Sequence, residues 1–210
     1  MQRLAIIGSG DLGQLIAHHA HTDGHYTVAG FFDDYRPVGT EVLGWPILGG
    51  VEAVSAVFAA GGFDALMIGI GYKHLPMRRA LFDRFRAEMP LGQVIHSSTY
   101  VDPSCRIGAG VFVLPGGVLD FNVVLEDNVL LNTGCCIAHD SVVRAHTFLS
   151  PRVAVAGFVE IGEGCNIGIN TTIIDNITLA AGIQTGGGTV VTKSLTAAGL
   201  YVGAPARFVR

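Results

Sequence analysis

Residues 101–184 divide without remainder into fourteen hexads: VDPSCR (101–106), IGAGVF, VLPGGV, LDFNVV, LEDNVL, LNTGCC, IAHDSV, VRAHTF, LSPRVA, VAGFVE, IGEGCN, IGINTT, IIDNIT and LAAGIQ (179–184). Every hexad opens on Val, Ile or Leu. The fifth residue is mostly small or apolar too, as at Cys105, Val111, Val123, Cys135, Val153 and Cys165. Residues two apart share one face of a strand, so each hexad reads as a short strand with two inward side chains, then a turn. A fixed period this short marks a parallel β-helix. Three hexads make one triangular coil. Residues 101 to about 190 then give about five coils, stacked at roughly the 4.8 Å spacing of neighbouring strands. Glycine or a small polar residue often follows the repeat residue (Gly108, Asn132, Gly162, Gly168), which places the bend there.

Other readings of the period fail. On a helix, residues six apart smear around the circumference. A sandwich needs turn signals at variable spacing. The residues just before each repeat residue face out, and several are apolar: Val124, Leu130, Cys136, Val142 and Phe148. Taken as one exposed stripe, they predict an interface between copies, hence a homotrimer.

Half of the 210 residues are hydrophobic and 14% are charged, with net charge −4. There is no basic stripe, which excludes nucleic acid as a partner. No apolar run approaches the length of a membrane span, and the start of the chain lacks the apolar core of a secretion signal. Together these predict a cytoplasmic location. Of four cysteines, Cys105, Cys135 and Cys165 sit at inward repeat positions and read as buried reduced thiols. No paired-ligand spacing suggests a metal.

Ahead of the repeats, residues 3–7 read as a buried strand, followed by Gly8-Ser9-Gly10-Asp11-Leu12-Gly13 and a helix to about residue 21. A strand at 26–32 ends in Asp33-Asp34. A helix at about 50–60, a strand at 64–69 and a helix at about 74–88, closed by Pro90, follow. Strands alternating with helices imply a Rossmann-like parallel sheet over residues 1–92, with the β-helix over 93–210. The glycine run lies between a strand and a helix, where backbone and helix N-terminus favour a diphosphate. Asp33 and Asp34 fall where an acid meets a ribose hydroxyl. Alone, this suggests a dinucleotide dehydrogenase. About ninety residues leave no room for the second nucleotide half, so one nucleotide diphosphate fits better. The glycines can also serve only strand–helix packing.

A small Rossmann-like half joined to unbroken hexads resembles the NeuD/PglD-type sugar acetyltransferases, whose β-helix is left-handed. The resemblance rests on the glycine run, Phe32-Asp33-Asp34, Ile68-Gly69 with Arg78 and Arg79, Ile137-Ala138-His139-Asp140, Gly168-Ile169-Asn170, Gly186-Gly187-Gly188 and Val202-Gly203-Ala204-Pro205-Ala206. It implies N-acetylation of a nucleotide-linked 4-amino-4,6-dideoxy sugar by acetyl-CoA, in polysaccharide biosynthesis, with sites between subunits of a trimer. It implies His139 as general base and Asp140 as its orienting acid. The nucleotide sugar would lie on Gly8, Ser9, Gly10, Asp11, Leu12, Gly13, Asp33, Asp34, Gly69 and Lys73. Acetyl-CoA would lie along His146, Gly157, Ile169, Gly187, Pro205 and Arg207, with no metal. The family often places a second histidine nine residues after the first; here that residue is Phe148, and His146 does not inherit the role.

The residues themselves support His139. It falls at a turn, in an 18-residue column with Phe121, Gly157 and Asp175. Only the imidazole in that column can exchange a proton near neutral pH. Gly157 beside it leaves space and a backbone N–H for a developing oxyanion. Asp140 can hold the ring in one tautomer. His146 shares a column with Asn128, Gly164 and Gly182, and His18, His19, His21 and His25 read as surface residues. Sugar O-acetylation, of the sialic-acid kind, uses the same base. A non-catalytic nucleotide-binding scaffold is the remaining alternative.

Overall fold

The computed structural model describes residues 1–210, in two units, Met1–Val94 and Ile95–Arg210. The first unit begins with β1 (Arg3–Ile7), α1 (Asp11–Thr22) and β2 (Thr27–Phe32). Next come β3 (Glu41–Val42), β4 (Trp45–Gly49), a 3-10 turn at Val51–Ala53 and α2 (Val54–Ala59). β5 (Ala65–Ile68) and α3 (Leu75–Phe85) complete it. The sheet order is β3-β4-β2-β1-β5. β1 pairs in parallel with β2 and β5, and β2 with β4. The chain thus steps outward from β1 to β2 and β4, then returns to the other side of β1. The carboxyl end of β1 is a topological switch point, the place where open α/β sheets bind ligands. Strands buried along almost their whole length (Leu4–Ile7, Ala65–Ile68) explain the unbroken apolar runs. α1 buries Gly13, Ile16, Ala17 and Ala20, one face of a helix.

Two local readings change. β3 and β4 form an antiparallel hairpin in a stretch where the sequence announces no element. Its turn residues Leu43 and Gly44 both have positive φ, +51° and +84°. That fits the tight hairpin geometry, but Leu in place of Asn or Asp conceals the signal. α3 stops at Phe85, ahead of Pro90.

The second unit is the expected β-helix of hexapeptide coils. Its strands carry two residues each, and residue n pairs with n+18: Val118 with Cys136, Leu119 with Ile137, Val124 with Val142, Leu130 with Phe148. The repeat residues Val113 to Leu179 and their fifth-position partners Val111 to Ile177 are all buried; Val101, Cys105 and Ile107 at the open end are partly so. Each buried Val, Leu or Ile contributes roughly 1.5–3 kcal/mol relative to exposure. Ser141, Thr147 and Thr171 also point inward and are fully buried. They are accommodated because their hydroxyls bond to the next coil, as Ser141 Oγ does to Ala156 O (2.9 Å). The inward thiols do the same: Cys135 Sγ donates to Ser150 O, and burial pushes that thiol up to about 11.

The bend lies elsewhere than expected. Positive φ falls three residues after the repeat residue, at all fourteen consecutive corners from Gly110 to Gly188. Eight of these fourteen are not glycine: Asn122, Asn128, Asp140, His146, Arg152, Phe158, Asn170 and Asn176. Asn and Asp enter this region most easily; His146, Arg152 and Phe158 are held there against about 1–2 kcal/mol each. The glycines directly after the repeat residue serve another need. A Cβ on Gly108, Gly162 or Gly168 would come within 2.6, 2.6 or 2.4 Å of the adjoining coil, so they permit close stacking.

The proposed outward stripe is not one surface. Successive hexads lie on successive faces, so only residues 18 apart share one. Val124 and Val142 lie on one face, Leu130 and Phe148 on another, Cys136 on the third. Leu130 and Phe148 are moreover buried. The face of Cys136 instead presents Tyr100, Val118, Ala154 and Thr172, apolar or small and without charge.

Candidate active site

Each corner is a turn whose backbone is bonded to the coil below: Asp140 N donates to Phe121 O (2.9 Å), and Phe158 N to His139 O (3.1 Å). With most amides engaged in stacking, chemistry at a corner falls mainly to side chains. One corner carries His139 and Asp140. His139 Nδ1 lies 3.1 Å from Asp140 Oδ2. The ring is 47% exposed and the carboxylate 31%. The His139 hydrogen bond, then the amide of Asn122, hold the Asp140 carboxyl below its usual range. Ser141 pins this turn from inside, donating to Ala156 O and accepting from Val159 N.

Gly157 stands one coil above, as the column requires, but the space it leaves is filled. A Cβ there would meet Cε1 of His139 at 2.6 Å and Nε2 at 2.7 Å. The glycine therefore seats the imidazole itself; it does not leave the expected void beside it. Gly157 O is bonded to Asn176 N, while its N–H takes no part in that coil ladder. Phe158 follows, 57% exposed at φ +56°, with its ring edge-on to His139 (centroids 5.2 Å apart, 87° between planes).

In the α/β unit the glycine run divides its duties. A Cβ on Gly13 would lie 1.9 Å from Gly8 O, and one on Gly69 2.7 Å from Gly13 Cα. These glycines pack β1, β5 and α1 together. Gly8, at φ +91°, turns the chain out of β1. Only Gly10 is open: nothing lies within 4 Å of a Cβ built on it, and α1 has no side-chain cap there. Asp33 is engaged by its own loop. Its Oδ2 accepts from Ser9 N (2.9 Å) and Ser9 Oγ (2.5 Å), and its Oδ1 from Tyr35 N (2.9 Å). Partial burial pushes the Asp33 carboxyl up, but these bonds and Arg36 outweigh it and the net shift is down. Ser9 is fully buried, so its hydroxyl belongs to the loop. Asp34 Oδ1 accepts from Val51 N (2.8 Å). Asp11 and Leu12 begin α1, and Lys73 is exposed in a 3-10 turn before α3.

Comparison with known proteins bears on both units. The sequence model of the PglD N-terminal domain matches residues 3–85. The acetyltransferase domain of PglB from Neisseria gonorrhoeae is 28% identical, with TM-score 0.91 over 100% of both chains. PerB from Caulobacter crescentus, solved with CoA and GDP-perosamine, is 29% identical, with TM-score 0.92 over 100% of this chain and 98% of that one. Along its whole length the chain is similar to hexapeptide-repeat sugar N-acetyltransferases. UDP-3-O-acylglucosamine N-acyltransferase of Delftia acidovorans is also similar, 36% identical over 98 residues, 47% of this chain. The chain spans only 29% of that relative's length.

Within this fold the residues expected around acetyl-CoA do not share a corner. Gly157 is with His139. Ile169 and Gly187 meet on another corner, where a Cβ on Gly187 would sit 3.0 Å from Ile169 Cγ2. His146 is on the third, 8% exposed, its Nδ1 3.0 Å from Asn128 Nδ2. His146 is thus largely buried within its own chain. Pro205 and Arg207 are exposed on the closing segment, where Gly199–Val202 pairs with Ile183–Thr185 and Arg207–Phe208 turns back antiparallel. No group of three or more His, Cys, Asp or Glu is placed to hold a metal, and no helix is long and apolar enough to cross a membrane. Two residues beside the His–Asp pair, Asn122 and Phe158, escape the sequence reading. Both lie 18 residues from Asp140, so tabulating the column of Asp140 as well as that of His139 exposes them.

Proposed function

We propose that this protein transfers an acetyl group from acetyl-CoA to the amino group of a nucleotide-linked 4-amino-4,6-dideoxy sugar, with His139 as general base. The observation that carries this is the exposed His139–Asp140 pair seated on Gly157. An ionised carboxylate only accepts hydrogen bonds, so the Nδ1 facing it carries the proton and Nε2 keeps a lone pair. Nε2 then takes the proton from the acceptor nitrogen as it attacks the thioester carbonyl. The imidazolium, stabilised by Asp140, returns that proton to the departing thiolate. The Gly157 N–H is a donor for the transient oxyanion.

The amine acceptor is supported by the likeness along the full chain to a perosamine N-acetyltransferase solved with CoA and GDP-perosamine, and the acyl donor by a PglB acetyltransferase domain solved with acetyl-CoA. We assign nucleotide-sugar binding to the unit of residues 1–92. The diphosphate lies at Gly10 and the first amides of α1, among Gly8–Gly13, with Gly69 and Lys73 on the neighbouring strand end and turn. Asp33 takes a supporting role, and Asp34 retains a free oxygen for ribose or base. Acetyl-CoA follows Gly157 on one chain, and Ile169, Gly187, Pro205 and Arg207 complete its path when copies associate. That division of residues between corners supports a homotrimer through the uncharged face of Val118 and Cys136.

The test is thiol release from acetyl-CoA with a panel of GDP-, UDP- and dTDP-linked 4-amino-4,6-dideoxy sugars and their 4-hydroxy counterparts. Turnover with an amino sugar is expected. Turnover only with the hydroxy sugars sinks N-acetylation, and none with any member sinks the transferase reading. A stable monomer by sedimentation at micromolar concentration removes the shared site.

A further inference from the structure

We infer that Asn122 is a positioning residue that locks the Asp140 carboxylate and, through it, the tautomer of His139. This rests on the reading of His139 as the base. Asn122 Nδ2 donates to Asp140 Oδ1 at 3.1 Å, leaving Oδ2 for His139 Nδ1, also at 3.1 Å. An ionised carboxylate has no proton to give, so the amide must present its NH2 group, and the two oxygens of Asp140 are committed to different donors. A carboxylate held by one donor turns about its side-chain bonds; held by two on opposite oxygens, it has one orientation.

Asn122 is itself anchored from the coil below. Its backbone N–H donates to Ser104 Oγ (2.7 Å), and Ser104 Oγ donates to Asp102 Oδ1 (2.6 Å). A hydrogen-bonded file thus climbs one corner through three coils, from Asp102 to Ser104, Asn122, Asp140 and His139. Asn122 and Asp140 occupy the same corner slot 18 residues apart, both with φ of +58°. From that slot the Asn122 side chain reaches along the corner to Asp140. The other charged side chains of this corner are Asp120, Asp175 and Lys193. Asp120 accepts from Phe121 N and Asp175 from Asn176 Nδ2, each within its own turn. Neither makes a bond that could replace Asn122.

The test uses the full-length protein with 13C,15N-labelled histidine. Asn122→Gly removes the amide and keeps the backbone, since glycine fills the equivalent position of another corner at Gly116 and Gly134, with φ of +73° and +68°. The His139 resonances, assigned by their loss in His139→Gln, report the tautomer in neutral solution. In the native protein the Nδ1-protonated form is expected to dominate. In Asn122→Gly a mixture with the Nε2-protonated form is expected, with kcat lower by about 10-fold, the worth of a hydrogen bond to a charged group, and both KM values within about 2-fold. Asn176→Gly, in the same slot two coils above Asp140, should leave tautomer and rate unchanged. An unchanged tautomer in Asn122→Gly overturns the proposal, whether the rate is native or falls together with the melting temperature. If His139→Gln keeps native activity, the base assignment fails instead, and the tautomer ratio still decides whether Asn122 locks the ring.

Discussion

The two units make their candidate sites from opposite materials. In the β-helix most backbone amides at the corners are bonded to the neighbouring coil, so function falls to side chains in a repeated slot. In the α/β unit the side chains near the glycine run hold the loop, Asp33 on Ser9 above all, and leave the backbone around Gly10 open. One region therefore offers a proton-transfer group on a rigid frame. The other offers uncapped amides at a helix N-terminus. The first should be sensitive to loss of a side chain and the second to gain of one.

The largest expected effect is at the corner. His139→Ala should lower kcat by roughly 10²–10⁴ with little change in either KM and no change in fold, because the ring lies outside the inward stack. A variant keeping more than about a tenth of native kcat would break the contrast at its stronger end.

The glycine run sharpens the other side. Gly13→Val forces a side chain onto Gly8 O and should destabilise the α/β unit by about 3 kcal/mol or more, measured by denaturant unfolding. Gly10→Trp, three residues earlier, should leave stability within about 1 kcal/mol but raise the acceptor KM at least about 10-fold. If both lower stability alike, the run serves packing only and the diphosphate lies elsewhere.

Phe158 connects the two arguments, being a side chain retained at a backbone cost. Phe158→Gly should stabilise the β-helix by about 1 kcal/mol, by relieving its positive φ, while lowering kcat several-fold as His139 loses its edge-on neighbour. A variant both more stable and fully active removes Phe158 from the site.

The smallest effect is set by pH. The folded state depresses the Asp33 carboxyl, so it binds that proton more weakly than the unfolded chain does. The stabilisation is complete above the unfolded value near 4 and is lost as pH falls through the depressed one. Asp33→Asn should flatten this part of the acid-unfolding profile of the α/β unit. An unaltered profile means that Ser9 and Tyr35 do not depend on the charge.

Much of the fold is legible because its rules are local. Six-residue spacing alone separates the inward pairs, and glycine flanked by strand and helix locates the switch point. The β3–β4 hairpin is not legible, because Leu43 stands where an asparagine would announce the turn and Pro46 interrupts an otherwise plain strand. The bend position escapes for a related reason: glycine after the repeat residue looks like a turn residue, yet it answers to the coil stacked on it. Of the candidate site, the His139–Asp140 pair and the Gly157 column are visible by counting. The roles of Asp33, Ser9 and His146 are not, since each depends on a hydrogen bond or on burial that spacing does not encode.

The sequence by itself determined the period, the inward columns, the glycine switch point and the corner bearing His139 next to Asp140. These follow from covalent counting, because a strand alternates its faces and three hexads close a coil. Tertiary structure decided what each polar group does. Gly157 seats the ring, Asn122 reaches Asp140, Asp33 holds Ser9, and His146 is buried. Such outcomes depend on which groups stacking brings within about 3 Å, and hydrogen bonding is decided over tenths of an ångström, a resolution that residue spacing does not carry.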